Sequence, residues 1–208
     1  MTNYVPPLRD MQFCLHEMGV VDRVRKLSAH KNLSDDLIDA ILEGSGLFAQ
    51  EVLAPINHLG DIKGATISDG VVSTPEGFAE AYQKFVGGGW ASLPFNPLYG
   101  GQNLPWVIAA ATQEMWISAN TSWSLCQILT TGAVELLSEY GTDEQKSLYL
   151  GKLISGSWSG TMNLTEPQAG SDLGKLSCRA IPAGDHYNIQ GQKIYITYGD
   201  HDMAENII

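Results

Sequence analysis

Apolar side chains follow a period near 3.6 through residue 156, then give way to short, roughly alternating segments. After KNLSDD, the residues Leu37, Ile38, Ile41, Leu42, Phe48, Ala49, Val52 and Leu53 recur on one helical face. Ser34 is placed to cap that helix, and Asp35 and Asp36 sit beside its positive end. Pro55 predicts where it stops, and NHLGDIKGATISDG predicts a loop. Thr74-Pro75 reads as the cap and first-turn proline of a second helix. Its stripe is Phe78, Ala81, Tyr82 and Phe85, and Gly87, Gly88 and Gly89 end it. ASLPFNPLYGGQNLP reads as irregular. Two helices are predicted between Pro105 and Tyr140, broken near Asn120. The second is apolar around most of its circumference, which predicts deep burial. Thr142 and Gln145 form a capping box opening a further helix.

From Trp158 the pattern changes to WSGTMNL, LSCRAI, HYNIQG and KIYIT, four strand-like segments between turns. The predicted fold class is mainly α with a β part (α+β): a helical bundle followed by the beginning of an antiparallel β-barrel-like domain. The expected bounds are an extension over 1–32, a helical domain over 33–156 and a partial β domain over 157–208. AENII reads as a strand opening, so the chain is expected to be part of a larger sheet or to need a partner to finish one.

Composition narrows the classes. The 208 residues are 44% apolar and 17% charged, enough for a real core. A net charge of -11 repels nucleic acid and anionic lipid. Cys14, Cys126 and Cys178 are odd in number and far apart, so they read as reduced thiols rather than a disulfide or zinc set. The first residues lack a leader layout, and runs such as 106–111 are too short to span a bilayer, so the expectation is a soluble cytoplasmic protein with no membrane insertion. The five histidines are scattered, there is no G-x-S-x-G elbow, and GGGW and YGG do not match phosphate-binding loops. No metal site is expected.

What remains is chemistry around two stretches, NLTEPQAGSDLGKLSCRA and YNIQGQKIYITYGD. Alone, the first is a surface turn with Glu166 and Asp172 as solvated acids or caps, and the second holds an ordinary strand in which Tyr195 packs. Together, in this order and spacing, they resemble the middle-domain signature of the acyl-CoA dehydrogenases, T-E-P-x-A-G-S-D followed by G-x-K-x-x-I-T. The resemblance extends over 33–208, and YVPPLRDMQFCLHEM with ITYGDHDMAENII resembles a subset acting on 3-methylthiopropionyl-CoA and similar thioesters. It implies FAD as cofactor, with Met162, Leu164 and Thr165 facing the isoalloxazine, the first two through main chain and packing and Thr165 through its hydroxyl. Tyr195 stands where the family often carries a stacking tryptophan, Thr197 would contact the N5 region, and Ser171 the CoA portion. Met162 departs from an often aromatic position. Pro167 would stiffen the turn, and Ala169 and Gly170 would let backbone approach the ligand.

The implied reaction is α,β-dehydrogenation of an acyl-CoA, with proton abstraction by a carboxylate and hydride transfer to flavin N5. Electrons would pass on to an electron-transfer flavoprotein, and the intact protein would be a homo-oligomer. The family's catalytic glutamate belongs to a C-terminal helical domain beyond Ile208, and Glu114, Glu135 and Glu205 have no motif support, so no catalytic residue is assigned. The chain by itself is expected to be inactive and to hold FAD weakly or not at all. The alternative is a non-catalytic acyl-CoA-binding or assembly module on the same scaffold. Trp90, Trp106, Trp116 and Trp123 read as core or interface residues, with Trp116 to Trp123 alternatively lining an acyl pocket.

Overall fold

The computed structural model describes residues 4–208; the first three, part of the stretch read for a leader, lie outside the described residues. Eight α-helices follow in chain order: α1 Leu8–Gln12, α2 Val20–Val24, α3 Asp35–Phe48, α4 Ala54–Lys63, α5 Phe78–Gly87, α6 Trp106–Ala119, α7 Thr121–Tyr140 and α8 Asp143–Ser155. Six short strands accompany them: β1 Thr66–Ser68, β2 Val71–Ser73, β3 Trp158–Ser159, β4 Arg179–Ala183, β5 His186–Gln190 and β6 Asn206–Ile207. The chain is therefore mostly helical, with three two-stranded sheets, none closed. β1–β2 and β4–β5 are antiparallel hairpins, whereas β3 and β6 pair parallel, Trp158 opposite Asn206.

Local signals governed the helix ends. The Ser34 hydroxyl accepts the Leu37 N–H at 3.2 Å. The Asn120 side chain accepts from Trp123 N at 3.1 Å and so starts α7 where α6 stops. Thr142 and Gln145 complete both bonds of the capping box, at 3.2 and 2.9 Å. Leu37, expected on the buried stripe, is exposed at the first turn; Ile38, Leu42, Phe48, Ala49 and Leu53 are buried.

Four expectations are corrected by longer-range structure. Pro55 does not end a helix: a π-turn over Ala49–Leu53 shifts the hydrogen-bond register, and Pro55 enters the first turn of α4, where no N–H is needed. The predicted loop after it is the rest of α4 and the β1–β2 hairpin. Thr74 does not cap α5, whose cap is Gly77; its N–H and hydroxyl both bind Asp202, at 3.2 and 2.6 Å. α7 is buried on one face only, through Trp123, Cys126, Gln127, Thr130 and Val134, while Leu125, Ile128 and Leu136 stay exposed.

α3 packs on α6, α6 on α7 and α7 on α8. The core shared by α3, α5, α6 and α7 centres on Phe48, Tyr82, Phe85, Trp116 and Trp123, whose rings meet edge-on or tilted at 5.1–6.5 Å. The Trp123 indole N–H donates to Phe78 O and the Tyr82 hydroxyl to Gly156 O, so both rings bury their polar ends satisfied. Trp116 and Trp123 are core residues of this cluster. Residues of the leading segment, Met11, Leu15 and Val21, join the same core.

The β segments are thinner than the pattern predicts. WSGTMNL forms only the two residues of β3, and KIYIT has no strand ladder at all. The reason is that both stretches are tied together mainly through side chains, as described next.

Candidate functional site

The loop Thr165–Ser171 begins with a tight turn. Glu166 and Ala169 exchange both backbone bonds, at 3.1 and 3.0 Å, across Pro167. That turn aims the Glu166 side chain inward, where it is 2% exposed. The carboxylate accepts from Lys193 Nζ at 2.8 Å, Ser177 N at 2.7 Å, Ser177 Oγ at 2.9 Å, Cys178 N at 3.0 Å and Gln168 Nε2 at 2.6 Å. These donors, Lys193 first, hold its carboxyl far below the usual carboxylate range. Ala169 is fully buried in the turn, and a Cβ on Gly170 would meet open space.

Lys193 also donates to Leu164 O at 2.9 Å, and the Ile194 N–H to Thr165 O at 3.0 Å. Further along, the Thr161 hydroxyl donates to Thr197 O at 2.7 Å. Segments 161–166 and 193–197 therefore run antiparallel, edge to edge, although the sequence separates them widely. Gly191 lies hard against Cys178, one of the residues that bind Glu166: its φ is +147°, and a Cβ there would run into Cys178. Gly160 plays a similar part against α7, where a Cβ would strike Ala133 and its N–H donates to Thr130 Oγ1 at 3.1 Å.

Two grooves flank the paired segments. The wider, about 510 Å³, is walled by Asn163, Lys193, Tyr195, Ile196, Asp200 and Ile207 among others. The second, about 290 Å³ and mostly apolar, lies on the exposed face of α7, between Ile128, Gly132, Ala133, Leu136 and Met162. Thr161 and Ile208 border both. Small-molecule sites occupy roughly 300–1,000 Å³, so both are of relevant size. Of the residues singled out from the sequence, Tyr195 lines the wider groove and Met162 the narrower. Leu164 and Thr165 are half-buried in the paired segment, Thr197 is exposed at its far end, and Ser171 is exposed on the loop; none of these four walls either groove.

Tyr195 is unusual. It is 87% exposed and its φ is +54°. A bulky residue in left-handed backbone costs about 1–2 kcal/mol, and such strain gathers at ligand sites. The wider groove suits a flat ring with polar edges: it offers an aromatic face, the Asn163 amide and a backbone segment without a strand ladder. It suits a phosphate chain poorly, because Lys193 is committed to Glu166 and Asp200 adds a negative charge.

A buried polar knot fixes the seam between this region and the helices. His201 Nδ1 accepts the Met203 N–H at 3.1 Å, which puts the ring proton on Nε2, 2.8 Å from Ser159 Oγ and 3.9 Å from Cys126 Sγ. Burial lowers the His201 pKa and pushes the Cys126 thiol up to about 12, so the cluster is neutral and unreactive. The Tyr198 hydroxyl adds a bond to Ser122 O at 2.8 Å.

Sequence reasoning missed the Glu166–Lys193 pair, the His201 knot and the α7 groove. The first had a signal, an acid and a base each inside one half of the motif. The other two depend on which helix face the β segments cover. Among the described residues no group of three or more His, Cys, Asp or Glu could hold a metal ion, and no helix is long and apolar enough to cross a membrane.

Comparison with known proteins bears on the family and the fold. Residues 40–157 match the family described as acyl-CoA dehydrogenase, N-terminal domain. A 3-methylmercaptopropionyl-CoA dehydrogenase of Ruegeria pomeroyi is 46% identical over 206 residues, covering 99% of this chain and 35% of that protein. Butyryl-CoA dehydrogenase from Megasphaera elsdenii superposes with a TM-score of 0.68 at 25% identity, over 81% of this chain and 42% of that one. An FAD complex of PigA superposes with a TM-score of 0.63 at 26% identity, over 79% of this chain and 41% of that one. The chain spans about a third of the length of the curated relatives it matches end to end. It belongs to the acyl-CoA dehydrogenase family.

Proposed function

We propose that this chain carries the flavin-facing wall of an acyl-CoA dehydrogenase, with Met162, Leu164, Thr165, Tyr195 and Thr197 addressing the isoalloxazine of FAD and Ser171 the CoA portion of the thioester. The observation that supports it best is the edge-to-edge pairing of 161–166 with 193–197, which stands the strained, exposed Tyr195 beside an open groove. Bound there, FAD would supply the hydride acceptor for α,β-dehydrogenation of an acyl-CoA, with an electron-transfer flavoprotein as the onward acceptor. The chain's own residues would orient and shield. Tyr195 offers a stacking face, Thr165 a hydroxyl donor, and the apolar α7 groove beside Met162 a water-poor bed for a short acyl chain.

The proton-abstracting carboxylate is not supplied by these grooves. Glu135 and Glu205 are exposed elsewhere, and Glu114 lies on another groove beside Cys14. The chain alone is accordingly proposed to be inactive, with binding of a thioester without turnover as the second reading, favoured by the lack of a glutamate lining either of the two grooves that flank the paired segments. Because nothing in the wider groove neutralises a pyrophosphate, FAD should bind no tighter than riboflavin. Titration of the chain with each, followed by flavin fluorescence, should give weak saturable quenching of similar midpoint, lost in Tyr195→Ala. Unsaturable quenching, or quenching indifferent to Tyr195, would remove the flavin assignment.

A further inference from the structure

We infer that Glu166 and Lys193 are positioning residues whose part-buried ion pair holds Tyr195 in its left-handed backbone and so presents the ring to a planar aromatic ligand in the wider groove. The ligand half of this inference rests on the flavin reading above; the conformational half does not.

An 87% exposed side chain makes too little contact to enforce its own backbone conformation. A bulky residue with φ at +54° relaxes unless its neighbours are fixed. On one side, Lys193 is anchored to Glu166 Oε1 at 2.8 Å and Leu164 O at 2.9 Å, with Ile194 N bonded to Thr165 O at 3.0 Å. Glu166 itself cannot move, since Ser177, Cys178 and Gln168 also bind it. On the other side Thr161 holds Thr197 O, and Tyr198, also at positive φ (+52°), is tied to Ser122 on α7. Tyr195 is the exposed crest between two clamps. A pair serving stability alone would have no reason to hold an exposed aromatic ring in a disfavoured conformation.

The test uses amide exchange on the full 208-residue chain. Lys193→Met keeps the aliphatic stem and removes the ammonium. It should speed exchange at the Ile194 amide, bonded to Thr165 O, by about tenfold, the size of the left-handed penalty, with helix exchange unchanged. Tyr195→Asn, which tolerates left-handed backbone, should slow exchange there relative to the parent and largely rescue Lys193→Met. Tyr195→Val, which resists it, should speed exchange further. Lys193→Arg should retain slow exchange. Equal behaviour of the Asn and Val variants overturns the inference, as does unchanged exchange in Lys193→Met. Should Lys193→Met lose its helical circular dichroism, the Asn and Val variants in the parent background decide alone. Riboflavin quenching then separates the two readings. Loss of saturable quenching in Lys193→Met supports presentation of the ring, and its retention overturns that half. A parent chain that never quenches saturably defeats the flavin reading, and with it the ligand half, while the exchange series still judges the clamp.

Discussion

Glu166 carries a strongly perturbed carboxyl, and its effect on stability has a definite sign. Its carboxyl is held far below the ordinary 4.5 by Lys193 and the surrounding donors, so the folded loop binds fewer protons than the unfolded chain. The contribution is therefore fully present above about pH 4.5 and drains as pH falls toward the depressed folded value. Exchange at the Ser177 and Cys178 amides, both bonded to Glu166, should accelerate as pH is lowered from 5 to 3 beyond the intrinsic trend for acid-range exchange, and Glu166→Gln should abolish the excess. A flat corrected profile in the parent would show that the carboxylate is not what orders the loop. At this scale the sequence was partly legible. It pointed to the two stretches that the structure pairs, but read Glu166 as a solvated acid or cap. The inward turn that buries it is closed by Pro167 and Ala169, yet its partner Lys193 lies 27 residues away, and no local rule pairs the two.

Elements whose ends are set by adjacent residues were readable. Ser34, Asn120 and Thr142 each cap a helix through bonds two or three residues long. Removing such a bond has a predictable cost: Thr142→Ala should lower the unfolding free energy by about 1 kcal/mol in urea titration, with an unchanged slope. A loss near zero would mean that α8 is held by its packing through Leu150, Leu153 and Ile154 alone. Elements whose fate is set at a distance were misread. Pro55 fits inside a helical run because a π-turn precedes it, and Thr74 is drawn off α5 by Asp202, 128 residues along. α7 is apolar nearly all round because one face meets the core while the other lines a groove, and periodicity alone does not tell a buried face from a binding face.

At the scale of the molecule, the helical core and the β segments meet along a seam in which His201 is a buried titratable group. Its ring is packed against Tyr198, faces Ser159 and Cys126, and feels the charges of Asp202 and Asp200. Burial outweighs those two carboxylates and lowers its pKa from 6.5. The folded seam therefore needs the neutral ring, and a proton on Nδ1 would face the Met203 N–H it now accepts. The unfolded chain takes up that proton first, so the stabilisation is complete above about pH 6.5 and is lost as pH falls toward the lowered folded value. Lowering pH from 7.5 to 5 should speed exchange at residues 198–208, corrected for intrinsic rate, while helical circular dichroism holds, since the aromatic core between α3, α5, α6 and α7 contains no titrating group in this range. His201→Gln keeps a donor for Ser159 without a proton to gain, and should flatten the response. If the seam loosens equally in that variant, its acid sensitivity comes from the carboxylates around it, and the neutral histidine is only a spacer between helix and sheet.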